Sequence, residues 1–103
     1  MSEPYPARWL SEQLVARLNS VLAPLGFQSG NALAWEGAPQ ETVAMATWKR
    51  QYDELTVRYE FWGGLLRLSL KEGGTERWST ETVVHNKEAV ATAESIIGER
   101  LRS

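Results

Sequence analysis

His85 is the only histidine in the 103 residues, and there is no cysteine. An imidazole titrates near neutrality and could move a proton. One histidine and no thiol, however, exclude a His–His metal pair, cysteine-ligated metals, thiolate catalysis and disulfides. Neither G-x-S-x-G nor S-x-x-K occurs to supply an activated nucleophile. His85 therefore reads as a hydrogen-bonded residue at a strand-to-helix junction. Glu60 and Glu81 are the carboxylates that facing strands could bring together as a glycosidase-type acid–base pair. Such a pair needs one carboxyl kept protonated, and the arginines expected beside both oppose that. Gly63-Gly64 and Gly73-Gly74 open no helix and fit no phosphate-binding motif, so they read as hairpin turns. No cofactor or metal is expected, and the chain is expected not to be an enzyme. A deep pocket joining His85 to Glu81 would be needed to reverse that.

The remaining candidate chemistry is recognition. Among five tryptophans, Trp62 alone falls at a turn on the uncovered side of the expected sheet, next to Leu65, with Val43 and Met45 on the neighbouring strand. Arg58 and Arg67 flank this group. Trp and Arg over a small apolar cluster match the composition of protein-binding hot spots. Trp48, Trp78 and Trp35 fall on the core side, and Trp9, off the main helical stripe, is placed as a clamp on the sheet edge. The same open face collects Lys49, Arg58, Arg67, Lys71 and Arg77 against Glu60 and Glu81. Glu12, Asp53, Glu54, Glu88 and Glu94 are assigned to helices and turns.

These side chains need a sheet to position them. Residues 48–84 alternate between apolar and polar in three stretches separated by the glycine pairs, the pattern of a half-buried antiparallel meander. A two-residue turn at Gly63-Gly64 would pair Phe61 with Leu66, Tyr59 with Leu68, Val57 with Leu70 and Glu60 with Arg67. A three-residue turn, Glu72-Gly73-Gly74, with a bulge would pair Leu68 with Trp78 and keep the indole in the core. A turn at Tyr52-Asp53 would pair Trp48 with Val57. An earlier strand over residues 31–36 precedes these. Pro6 starts an amphipathic helix with Leu10, Leu14, Leu18, Val21 and Leu22 on one stripe, ended by Pro24 and Gly26. Asn86 is the expected N-cap of a second helix carrying Val90, Ala93, Ile97 and Leu101.

The fold expected is two-layer α+β: an N-terminal helix, a four- or five-stranded antiparallel meander and a C-terminal helix, both helices on one sheet face. Residues 1–5 are expected to be a loose N-terminus and residues 6–103 one domain, a size that buries roughly 65% of the unfolded surface. The net charge of −2 argues against a generic nucleic-acid binder. No signal-peptide pattern and no apolar run of ~20 residues is seen, so a cytoplasmic, non-membrane protein is expected.

Helix–strands–helix order with both helices on one face resembles the double-stranded RNA-binding domain, and Asn86-Lys87-Glu88-Ala89-Val90-Ala91 is similar to the start of that family's second helix. Only Lys87 matches its phosphate-gripping basic cluster; Glu88 and Glu94 have the opposite sign, and there are extra strands. A small acidic domain opening with an amphipathic helix, then Leu25-Gly26-Phe27 and a strand, is also similar in outline to bacterial secretion chaperones and toxin-immunity proteins, without a shared motif. The expected function is a non-enzymatic protein-binding module of the immunity, inhibitor or small-chaperone type. It would use the open face through Val43, Met45, Arg58, Trp62, Leu65, Arg67 and Arg77. Nucleic-acid binding through a basic sheet face is the second reading. A weak homodimer through the open face is also expected.

Overall fold

Leucines four residues apart line one side of a helix, which packs on a sheet. Helix α1 (Pro6–Leu22) buries Leu10, Leu14, Leu18 and Leu22 completely. The structure, a computed structural model, describes residues 6–29, 34–36, 43–61 and 63–102. The sheet contains β1 (Gln28–Ser29), β2 (Ala34–Glu36), β3 (Val43–Arg50), β4 (Asp53–Glu60), β5 (Leu65–Glu72) and β6 (Thr75–Val83). The last four form an antiparallel meander in spatial order β3-β4-β5-β6, and β1 and β2 both pair with the outer side of β3. A 3-10 turn over Asn86–Glu88 leads into α2 (Ala89–Arg102).

Alternation decides the layers. Ala44, Ala46 and Trp48 of β3, Leu55, Val57 and Tyr59 of β4, and Leu66, Leu68 and Leu70 of β5 join the helical leucines, Ala89, Ala93 and Ile97 in one buried cluster. Both helices therefore cover one face. The alanines of β3 let α1 approach closely. Trp48 is fully buried, and its indole Nε1 donates to Asn19 Oδ1 at 2.9 Å, which satisfies the polar end of a large apolar ring. Ser11, also fully buried, accepts from the Met45 N–H at 3.2 Å. The turn after α1 is held by Arg50. Its guanidinium lies 4.3 Å from the Phe27 ring centroid, donates to the Leu25 carbonyl at 2.9 Å and pairs with Asp53 at 2.9 Å.

The faces match expectation, but all three registers differ. In the central hairpin Glu60 opposes Leu65, Tyr59 opposes Leu66, Val57 opposes Leu68 and Arg58 opposes Arg67. The connection is thus 61–64, two residues longer than expected. Gly64 is drawn away from a tight turn because its carbonyl accepts the Val84 N–H at 2.9 Å, while Phe61 packs edge-on against Tyr59 with centroids 5.0 Å apart. The β3–β4 turn is Gln51-Tyr52 rather than Tyr52-Asp53, because Arg50 and Asp53 close the ladder as an ion pair. Between β5 and β6 the turn is the two-residue Gly73-Gly74, both at positive φ, with Glu72 opposite Thr75. The bulge falls further along, where Arg77 is the extra residue. It returns Trp78 to the helix-covered side opposite Leu70, where the ring is half-buried. Of the earlier strand, Ala34–Glu36 pairs with β3; residues 31–33 lie outside those described, as does the Trp35 side chain.

Candidate functional site

The registers order the uncovered face into rows that cross the meander. Val43, Glu60, Leu65 and Val83 form the first; Met45, Arg58, Arg67 and Glu81 the second; the hydroxyls Thr47, Thr56, Ser69 and Ser79 the third; Lys49, Glu54, Lys71 and Glu76 the fourth. Of the expected contact residues, Met45, Arg58, Leu65 and Arg67 are brought together at one end of this face. Val43 shares the row of Leu65 but is only 9% exposed. Arg77 does not join them. As the bulged residue it has no cross-strand partner on β5, and its Nε lies 3.4 Å from Glu72. Trp62 lies outside the described residues.

The basic face expected from the sequence does not form. Glu54 sits on β4 between Lys49 and Lys71 rather than in a turn, and Glu76 ends the same row. Four acids thus interleave with four bases. Arg58 and Arg67 stand directly opposite each other, a like-charge pairing that costs stability unless each is compensated. Both are: Arg58 Nη1 lies 2.6 Å from Glu60 Oε2, and Arg67 Nε donates to Glu81 Oε2 at 2.6 Å. Such half-exposed pairs contribute little to folding, but they fix the direction of each guanidinium. The expected Glu60–Arg67 bridge is replaced by these two.

Val83 is the exposed apolar residue of this corner that the sequence reading did not include. It is 71% exposed and stands next to Leu65 in the first row. The signal was present: once Trp78 is placed on the covered side, Ser79, Glu81 and Val83 fall on the open side by alternation.

His85 and Asn86 stand at the strand-to-helix junction. His85 itself is the N-cap of the 3-10 turn, its Nδ1 accepting from the Lys87 N–H at 3.2 Å, and Asn86, expected in the capping role, has its Oδ1 buried without a hydrogen-bond partner among the described residues. A cleft of about 380 Å³ beside it is lined by Tyr59, Phe61, Gly64, Val84, His85 and Asn86, not by Glu81. Tyr59 donates its hydroxyl to the Val84 carbonyl at 2.9 Å, and burial raises its pKa above the ordinary value of 10.0. On the helical side Trp9 is 47% exposed and shares a cleft with Gln13, Arg17, Lys87 and Val90, so it does not clamp the sheet edge. Among the described residues no group of three or more His, Asp or Glu is placed to hold a metal ion, and no helix is long and apolar enough to cross a membrane. No family model, curated protein or solved structure matches this chain.

Proposed function

We propose that this chain is a non-enzymatic protein-binding module, of the kind immunity proteins, inhibitors and small chaperones represent, acting through the open face of its sheet. The observation that supports this most is the corner formed by Leu65, exposed Val83 and Met45 beside two arginines already held by their own carboxylates. An apolar anchor with a rim of oriented charges is what a protein interface needs, because the guanidiniums lose little further freedom on docking. A partner suited to it presents apolar side chains to the first row and mixed charge to the second. Balanced charge across the face favours a protein over a polyanion, which would need an excess of cations.

Affinity capture from the organism that encodes the chain tests this. The native chain, the double variant Leu65→Asp with Val83→Asp, and the helical-side variant Trp9→Asp would be compared. A protein retained by the native chain and by Trp9→Asp but lost by the double variant supports the reading. Loss with Trp9→Asp alone, or equal retention by all three, contradicts it.

A further inference from the structure

We propose that the chain forms a two-fold dimer by pairing the outer edge of β6 with the same edge of a second copy. The sheet has two unlike borders. On the β3 side it ends in segments of two and three residues, whereas β6 runs nine residues from Thr75 to Val83 with no described residue paired to its outer side. Long free edges normally carry proline, lysine or a bulge that blocks pairing. Here the bulge is confined to Arg77, and the six residues that follow, Trp-Ser-Thr-Glu-Thr-Val, contain a single charge and no proline or glycine.

The hydrogen-bond alternation identifies the free groups. The Val84 N–H donates to the Gly64 carbonyl, and Gly64 and Val84 continue the register in which Leu65 opposes Val83. Bonded positions alternate along an antiparallel ladder, so Trp78, Thr80 and Thr82 bond inward to β5. Ser79, Glu81 and Val83 direct their N–H and C=O groups outward. The same alternation carried across the sheet leaves the Met45 N–H unclaimed by β4, and it is found donating to Ser11.

Symmetry then restricts the register to pairings centred on a residue of β6. An antiparallel two-fold pairing needs its axis perpendicular to the sheet, so both helical layers lie on one side and odd-numbered residues oppose odd. Centring on Glu81 would set two carboxylates against each other, which is unfavourable. Centring on Thr80 pairs Ser79 with Glu81 of the other copy, Thr80 with Thr80, and Trp78 with Thr82. The serine hydroxyl then meets the carboxylate, and a β-branched residue meets the ring. The open face stays uncovered, so this dimer does not depend on the docking reading above.

With no native cysteine, single introduced thiols report one position each. In the Thr80-centred register position 80 meets its own copy at a non-bonded site, with Cα atoms about 4.5 Å apart, within disulfide range. Mild oxidation is expected to crosslink Thr80→Cys at least tenfold faster than Ser79→Cys, Glu81→Cys or Thr82→Cys. Faster linkage of Glu81→Cys would overturn the register, and no preference at any position would overturn edge pairing. Ser79→Pro removes only an outward N–H. It should keep the native circular dichroism and raise the dimer dissociation constant at least tenfold in sedimentation equilibrium; an unchanged constant, or a native chain that stays monomeric at high micromolar concentration, contradicts the proposal.

Discussion

Gly64 is where the β4–β5 connection meets the end of β6, and replacing it with alanine should cost far more than the same change in an ordinary turn. Its φ is +66°, and a Cβ added there would lie 2.9 Å from the Val84 carbonyl oxygen. The left-handed conformation alone costs an alanine roughly 1 kcal/mol. The clash adds to this because its partner is backbone, which can yield only by moving β6. Such a shift weakens two hydrogen bonds, Val84 N–H to Gly64 O and Tyr59 Oη–H to Val84 O, both 2.9 Å long and worth about 1 kcal/mol each. The total is about 3 kcal/mol, or roughly 10–20 °C in Tm for a domain of this size. Gly73 provides the comparison: its φ is +60°, but a methyl group added there would meet nothing within 4 Å. Gly73→Ala should therefore cost about 1 kcal/mol. Urea unfolding at unchanged m separates the two. A Gly64→Ala variant no less stable than Gly73→Ala would refute the placement of this loop against the end of β6.

Arg50→Ala removes a cation–π contact, a carbonyl hydrogen bond and the Asp53 pair; urea unfolding should show a loss of about 2 kcal/mol, with Arg50→Lys recovering less than half. Trp48→Phe leaves Asn19 Oδ1 without its donor and should cost about 2 kcal/mol, readable in the same assay. Burial raises the Tyr59 pKa, so its contribution to stability is full below pH 10 and is lost as pH rises through the folded-state value. Chemical unfolding across the alkaline range should show this decline, and Tyr59→Phe should flatten it while lowering stability at neutral pH by about 1 kcal/mol.

Sequence periodicity carried the layers but not the pairing. Alternation fixes which side of the sheet a residue faces, and a slip of two residues leaves every side chain on its own face. Trp48, Val57, Tyr59, Leu66 and Leu68 are accordingly buried as expected, although β3 and β4 pair two positions away from the expected register. What set the true register was non-local: Gly64 bonded to Val84 twenty residues on, and Arg50 joined to Asp53 and to the turn after α1. Glycine pairs mark turns, but whether a glycine sits inside the tight turn or beyond it depends on such contacts. The Arg77 bulge shows the reverse. Burying the Trp78 ring correctly required an extra residue, and only the ladder could place it. His85 took the cap from Asn86 because its ring nitrogen reaches Lys87, a use of histidine outside the usual capping preferences. The candidate site was legible as composition, since Met45, Arg58, Leu65 and Arg67 do converge. Its charge was not, because Glu54 and Glu76 could be placed only once the turns were known.

Whether the open face meets a protein is decided by a photo-crosslinking residue placed at position 65, at position 83 and, for comparison, at position 9 in cells of the native organism. Docking through the Leu65–Val83 corner predicts one discrete protein adduct from positions 65 and 83 and none from position 9. Adducts from position 9 alone, or none from 65 and 83, would contradict it.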